Sequence, residues 1–129
     1  MTNQAFGKSL RLLNAHDYKT VFDDAQVKVS NPQVLFLSHL NGLSGPRLGL
    51  VIAKKNVRHA VQRNRIKRII RDTFRLNQQS LAGLDIVVLA RRGIDQLDNP
   101  TLQQLFNDLW KQLQKRAQKK LRLKQSPEG

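Results

Sequence analysis

The stretch from Lys54 to Leu76, KKNVRHAVQRNRIKRIIRDTFRL, constrains the fold more than any other part of the chain. Wound at about 100° per residue, it places Ile66, Ile69, Ile70, Thr73 and Phe74 on one face. Asn64, Lys67, Arg68, Arg71 and Arg75 fall roughly opposite. Such a helix lays its apolar stripe on a sheet and leaves a basic ridge in solvent. Nine of the 23 residues are Lys or Arg, and only Asp72 opposes them. A merely solvated helix mixes Glu with Lys, because like charges four residues apart are mildly destabilising. Arg63, Lys67, Arg71 and Arg75 stack like charge at that spacing, so the ridge is expected to meet a polyanion. Val57 and Val61 lie off the stripe, and regular helix is expected to begin only near His59.

Length and charge narrow the partner. A chain of 129 residues forms one domain, with a genuine core and no room for a second. A formal charge of +14 and a pI near 11.2 point to nucleic acid first and an anionic membrane second. The membrane reading lacks support: no apolar run approaches the roughly 18 residues of a spanning helix, and the start, MTNQAFGKSLRLL, lacks a signal peptide's apolar region. Absence of cysteine removes disulfides and thiolate zinc sites and fits a cytoplasmic location.

Taken in order, residues 1–9 are expected to be loose, and Asn14 can cap a helix over Ala15 to Asp24. Ala25 to Ser30 alternates as an edge strand, Asn31-Pro32 breaks it, and Val34 to His39 forms a second strand. Arg47 to Ala53 is a third, apolar enough to be central. After the basic helix, Gln78 to Gly83 connects to a fourth strand, Leu84 to Ala90. Asn99-Pro100-Thr101 starts a last helix whose Leu102, Leu105, Phe106, Leu109 and Leu113 repeat at helical spacing. Beyond Trp110 that helix becomes a second basic block: Lys111, Lys115, Arg116, Lys119, Lys120, Arg122 and Lys124. Residues 125–129 are expected to be a loose tail. The order α-β-β-β-α-β-α predicts a single α/β two-layer sandwich with a sheet of about four strands.

Catalytic groups are nearly missing. His16, His39 and His59 fall on three elements without metal-ligand spacing, and no phosphate loop, nucleophile elbow or paired-carboxylate motif occurs. The chain reads as a binder, with no catalytic or metal-ligating residue of its own. Single-stranded RNA is held by basic grooves with aromatic platforms, and Tyr18, Phe22 and Phe36 are candidates. Spacing alone favours core for these aromatics.

The segment Lys54-Lys55 followed by Ala60-Val61-Gln62-Arg63-Asn64-Arg65-Ile66-Lys67-Arg68-Ile69-Ile70-Arg71 resembles the RNR signature of the bacterial ribonuclease P protein subunit. Arg47-Leu48-Gly49-Leu50 before it, Asp85-Ile86-Val87-Val88 with Arg91-Arg92 after it, and the Tyr18 to Phe22 spacing resemble the same family. The resemblance covers about residues 10 to 113. It departs where many members carry Gly before the Ala-Val pair and this chain has Val57-Arg58-His59.

That resemblance implies a ribonucleoprotein that removes the 5′ leader from precursor tRNA, in which the RNA subunit is the catalyst and holds Mg²⁺. It implies a mixed sheet with the RNR helix in an unusual left-handed crossover, like the second domain of a small-subunit ribosomal protein. By position, Arg58, Arg63, Asn64, Arg65, Lys67, Arg68, Arg71 and Arg75 are then expected to meet the catalytic RNA. Tyr18, Phe22, Phe36, Lys54, Lys55, Arg91 and Arg92 are expected to line a leader cleft. The implied partners are the catalytic RNA and precursor tRNA, with no membrane and no obligate protein partner. A ribosomal-protein-like structural RNA binder is the alternative; a protein-only nuclease would need clustered acidic ligands.

Overall fold

The computed structural model describes residues 15–43 and 45–125, with side chains to residue 121. The expected Asn14 cap and the loose segment 1–9 lie outside these residues, as does the tail beyond Gln125. The elements are α1 (Ala15–Asp23), β1 (Val27–Asn31), β2 (Val34–Leu40), β3 (Arg47–Val51), α2 (Ala60–Asn77), β4 (Leu84–Ala90) and α3 (Asn99–Gln125), with short 3-10 turns at Gln78–Leu81 and Ile94–Gln96.

Local chemistry sets the boundaries. The side-chain oxygen of Asn31 accepts the N–H groups of Gln33 and Val34, each at 2.8 Å, and so closes the β1–β2 hairpin around Pro32. Strand β1 starts at Val27 and not Ala25, because the Gln26 side chain takes the Leu40 N–H at 2.8 Å in place of a backbone rung. Strand β3 stops at Val51, two residues before the expected Ala53, where the chain turns. Ala53's carbonyl accepts the N–H groups of Asn56 and Val57, each at 3.0 Å. Helix α3 is capped by Asp98: its carboxylate accepts the Thr101 N–H at 3.0 Å. Thr101's hydroxyl and backbone N–H together hold that carboxyl below its ordinary range.

The four strands lie in the order β1-β2-β4-β3, antiparallel except for the β3–β4 pair, so β3 is an edge strand and not the central one its apolar run suggested; β4 takes the inner place. Helix α2 is therefore the crossover between two adjacent parallel strands. Helices α2 and α3 pack side by side on one face of the sheet, and their stripes meet Val27, Val29, Val34, Phe36, Leu48, Ile86 and Val88 in the main core. Ile66, Ile69, Ile70, Thr73 and Phe74 are the buried residues of α2, the stripe read from its periodicity. Val57, off that stripe, is fully buried ahead of the helix. Trp110 sits at the centre, with its ring centroid 4.6 Å from Phe36 and 5.5 Å from Phe74. Its indole N–H donates to the Thr73 hydroxyl at 2.8 Å, and that hydroxyl donates back to the Ile69 carbonyl at 2.9 Å. The short helix α1 covers part of the opposite face, over Leu37 and Val87.

Phe36 requires a correction. It is 0% exposed and stacks 6.0 Å from Phe106, beneath α2 and α3. Side chains alternate across a strand, so Leu35 and Leu37 face α1 and Phe36 faces away. Phe36 is core and leaves the set of cleft residues.

Candidate nucleic-acid interface

The sheet face beneath α1 is built in rows that the strand register defines. The first row is Arg47, Asp85 and His39, the second Gly49, Val87, Leu37 and Lys28, and the third Val51, Leu89, Leu35 and Ser30. Helix α1 crosses the first two rows from β3 to β2. At its start Asp17 lies 3.7 Å from Arg47, and at its end the Asp24 carbonyl meets the His39 ring at 3.0 Å. Arg47 in turn grips the buried Asp85 through two hydrogen bonds of 2.8 and 2.6 Å. Those bonds raise the Arg47 guanidinium further above its ordinary range, against the lowering effect of burial. Asn41 adds a third hydrogen bond to Asp85, at 2.8 Å.

His16, Asp17 and Thr20 flank α1 on the first-row side, where they line one depression with His39, Arg47 and Asp85. Tyr18 and Phe22 sit on the other flank, toward the third row. Tyr18 is half-buried and lies directly over Gly49: a β-carbon there would stand 2.6 Å from the ring. Gly49 is thus the seat of the aromatic wall, signalled only by a glycine inside an apolar strand. Phe22 is 44% exposed, although it is a large apolar side chain. Beside this wall Val51, Leu89 and Leu35 are only partly buried, an apolar floor that no helix covers among the described residues.

Past the third row lies the basic rim. Parallel pairing of β3 with β4 carries Lys54 and Lys55 alongside Arg91 and Arg92, all four exposed. Asn56, which sequence reasoning missed, ties the two segments by donating to the Ala90 carbonyl at 3.0 Å. Arg91 donates to the Asn31 carbonyl at 3.0 Å, which draws it across the end of β2. Among the described residues the outcome is a surface with aromatics on one side, aliphatics on the floor and cations on the far rim. Single-stranded nucleic acid uses those three ingredients, since bases stack and phosphates need cations.

The second surface is the outer face of α2. Arg58, Asn64, Arg68 and Arg71 are exposed, and Lys67 and Arg75 are partly so. Arg75 lies 3.6 Å from Asp72. Asn64, Lys67 and Arg68 make no side-chain hydrogen bond or ion pair among the described residues, which leaves them open to an external anion. Arg63 and Arg65 behave differently. Arg63 donates to the carbonyls of Val57 at 3.0 Å and Arg58 at 2.9 Å, bracing the lead-in to a helix whose His59 start has no side-chain cap. Arg65 donates to the Asn99 side chain at 2.7 Å and the Asp95 carbonyl at 3.3 Å, joining α2 to the start of α3. Between them Val61, Asn64, Arg65, Arg68, Ile69 and Asn99 line a depression of about 330 Å³.

Two surfaces rich in exposed cations, on opposite faces of one small α/β sheet, mark the chain as a nucleic-acid-binding protein. No helix among the described residues is long and apolar enough to cross a membrane. The family profile of Ribonuclease P matches residues 6–114, and the chain belongs to that family. It is 56% identical over 113 residues to the ribonuclease P protein component of Pseudomonas putida (strain GB-1), a match covering 88% of this chain and 84% of that protein. A Pseudomonas aeruginosa relative of the same description is 55% identical with the same coverage. Among solved structures, the RNase P protein of Staphylococcus aureus superposes with a TM-score of 0.74 at 28% identity, covering 81% of this chain and 94% of that one. The Thermotoga maritima RNase P protein gives 0.67 at 31% identity, covering 78% and 96%. The chain is thus a protein component of the tRNA-processing ribonucleoprotein ribonuclease P, with RNA as its partner.

Proposed function

We propose that this protein serves two RNAs at once: α2 lies against the catalytic RNA, and the cleft beside α1 holds the single-stranded 5′ leader of precursor tRNA. The observation that carries this is the placement of the two surfaces on opposite faces of the sheet, each with its own chemistry. On α2, Lys67, Arg68 and Arg71 offer charge and Asn64 a neutral amide, without an exposed aromatic ring, which suits a phosphate backbone. In the cleft, Tyr18 and Phe22 add stacking to the charge of Lys54, Lys55, Arg91 and Arg92, which suits unpaired bases. A leader of variable sequence is held by stacking and phosphate contact without base-edge readout, so one cleft accepts many precursors. Arg63 and Arg65 act by positioning: they fix the lead-in and tilt of α2, and their remaining donors face the same RNA.

Two polyanions repel, and a protein of charge +14 between them lowers that repulsion at the junction. Cleavage itself belongs to the RNA subunit, which holds most of the Mg²⁺ that activates the attacking water. Among the described residues no three His, Asp or Glu side chains gather as a metal cage. We place the reaction in the cytoplasm, where tRNA precursors arise. The experiment is cleavage of precursor tRNA at low Mg²⁺ by RNA-free protein, by catalytic RNA, and by both. The expected result is cleavage only by the pair; cleavage by RNA-free protein that depends on one of its own aspartates would overturn the reading.

A further inference from the structure

Helix α3 is longer than the domain it covers. Its 27 residues span about 40 Å, and Ala117 is the last fully buried one among those whose side chains are described. Lys120 falls on the same helical row as the buried Leu102, Leu109 and Leu113, yet it is exposed, while Leu121 beside it is still partly buried. From Gln118 to Lys120 the side chains are all exposed as the helix leaves the core. Arg116 marks the edge of the domain by donating to the Lys28 carbonyl of β1.

From Lys111 onward α3 is basic and without acidic relief. Seven Lys and Arg residues lie between Asp108 and Glu128, with no acidic residue among them. Lys111, Lys115 and Lys119 repeat every fourth residue along one exposed face, a like-charge row that weakens an isolated helix. Cations favour a helix C-terminus, but that preference fades within the last turn and does not reach back to Lys111. The row steps about 6 Å per lysine, close to the spacing of successive phosphates on one strand.

We propose that the C-terminal third of α3 is a second docking surface for the catalytic RNA, gripping the phosphate backbone of a helical segment that α2 does not reach. The inference rests on the reading of α2 given above. Helix α3 lies in the same layer as α2, on the face turned away from the leader cleft, so the RNA that meets one meets the other. Trp110 meets Thr73 in the last turns of α2, and Lys115 and Lys119 lie about 8 and 14 Å farther along the axis of α3 than that contact. The lysine row thus carries the basic layer beyond the end of α2. Duplex is favoured over single strand because the aromatics of α3, Phe106 and Trp110, are buried and offer no base a platform.

The test compares assembly of the full chain with catalytic RNA, by affinity against salt and by hydroxyl-radical footprint. The variants are Lys115→Gln/Lys119→Gln/Lys120→Gln, the same positions changed to Arg, and Arg68→Gln as the reference for α2. Glutamine keeps helix propensity, and the arginine variant keeps charge. The glutamine variant should lower the slope of log affinity against log salt by about 0.9 for each phosphate it no longer neutralises, so by up to about 2.7. It should erase one patch of duplex protection and leave the Arg68-dependent patch in place, while the arginine variant keeps both. An unchanged slope and footprint in the glutamine variant would overturn the proposal, as would loss of protection on precursor tRNA instead. Failure of Arg68→Gln alone to change assembly would count against the α2 reading and not against this one.

Discussion

Thr73 shows how a single polar atom organises this core. Its hydroxyl accepts the Trp110 indole N–H at 2.8 Å, in a place where both residues are buried. Thr73→Val keeps the shape and strands that donor, and should cost about 1–3 kcal/mol in chemical denaturation. A variant as stable as the parent would mean that the indole finds another acceptor. Gly49 plays the corresponding part in the cleft, where any side chain would displace the Tyr18 ring. Gly49→Ala and Tyr18→Ala should each weaken binding of long-leader precursor tRNA, and the double variant should lose little more than either one. Fully additive losses would show that the two residues act independently. The buried Asp85 is held by Arg47 and Asn41, and Arg47→Met would leave its charge without its main partner. Melting should then show a loss on the order of 3–5 kcal/mol; a loss below about 1 kcal/mol would mean that water replaces the guanidinium.

At the scale of elements, α2 was the most legible part of the chain. Its stripe of Ile66, Ile69, Ile70, Thr73 and Phe74 is buried as the periodicity required, because a lone helix on a sheet has one inward direction. Strand β2 was ambiguous for the opposite reason. Val34, Leu35, Phe36 and Leu37 are all apolar, and both faces of the sheet are covered in part, so alternation existed without a label for its two sides. Phe36 went to the wrong face on that account. Phe36→Ala should cost roughly 3–5 kcal/mol of stability, as a buried aromatic does. Phe22→Ala should leave melting nearly intact. A reversed pattern would exchange the two assignments. Arg63 and Arg65 were unreadable for another reason. Arg63 turns back to the carbonyls of its own lead-in, and the partners of Arg65 at Asp95 and Asn99 lie 30 and 34 residues away, where only the tertiary fold brings them close. The insertion of β4 between β2 and β3 likewise depends on pairing that no local pattern specifies.

The whole molecule divides its work by face. Helices α2 and α3 form one layer, basic on its outside and closed over the core; among the described residues α1 covers only part of the other face, with aromatics beside a basic rim. The two faces must therefore fail separately. The direct measurement is the affinity of reconstituted holoenzyme for precursor tRNA with a leader of one nucleotide or of eight, together with the affinity of each variant for catalytic RNA. Phe22→Ala should assemble normally, bind the short-leader precursor as the parent does, and lose on the order of 1–3 kcal/mol per unstacked base with the long leader. Arg68→Ala should weaken assembly with the catalytic RNA, with a salt slope lower by about 0.9, whatever the leader. Equal loss on both leaders for Phe22→Ala, or normal assembly and slope for Arg68→Ala, would contradict the division.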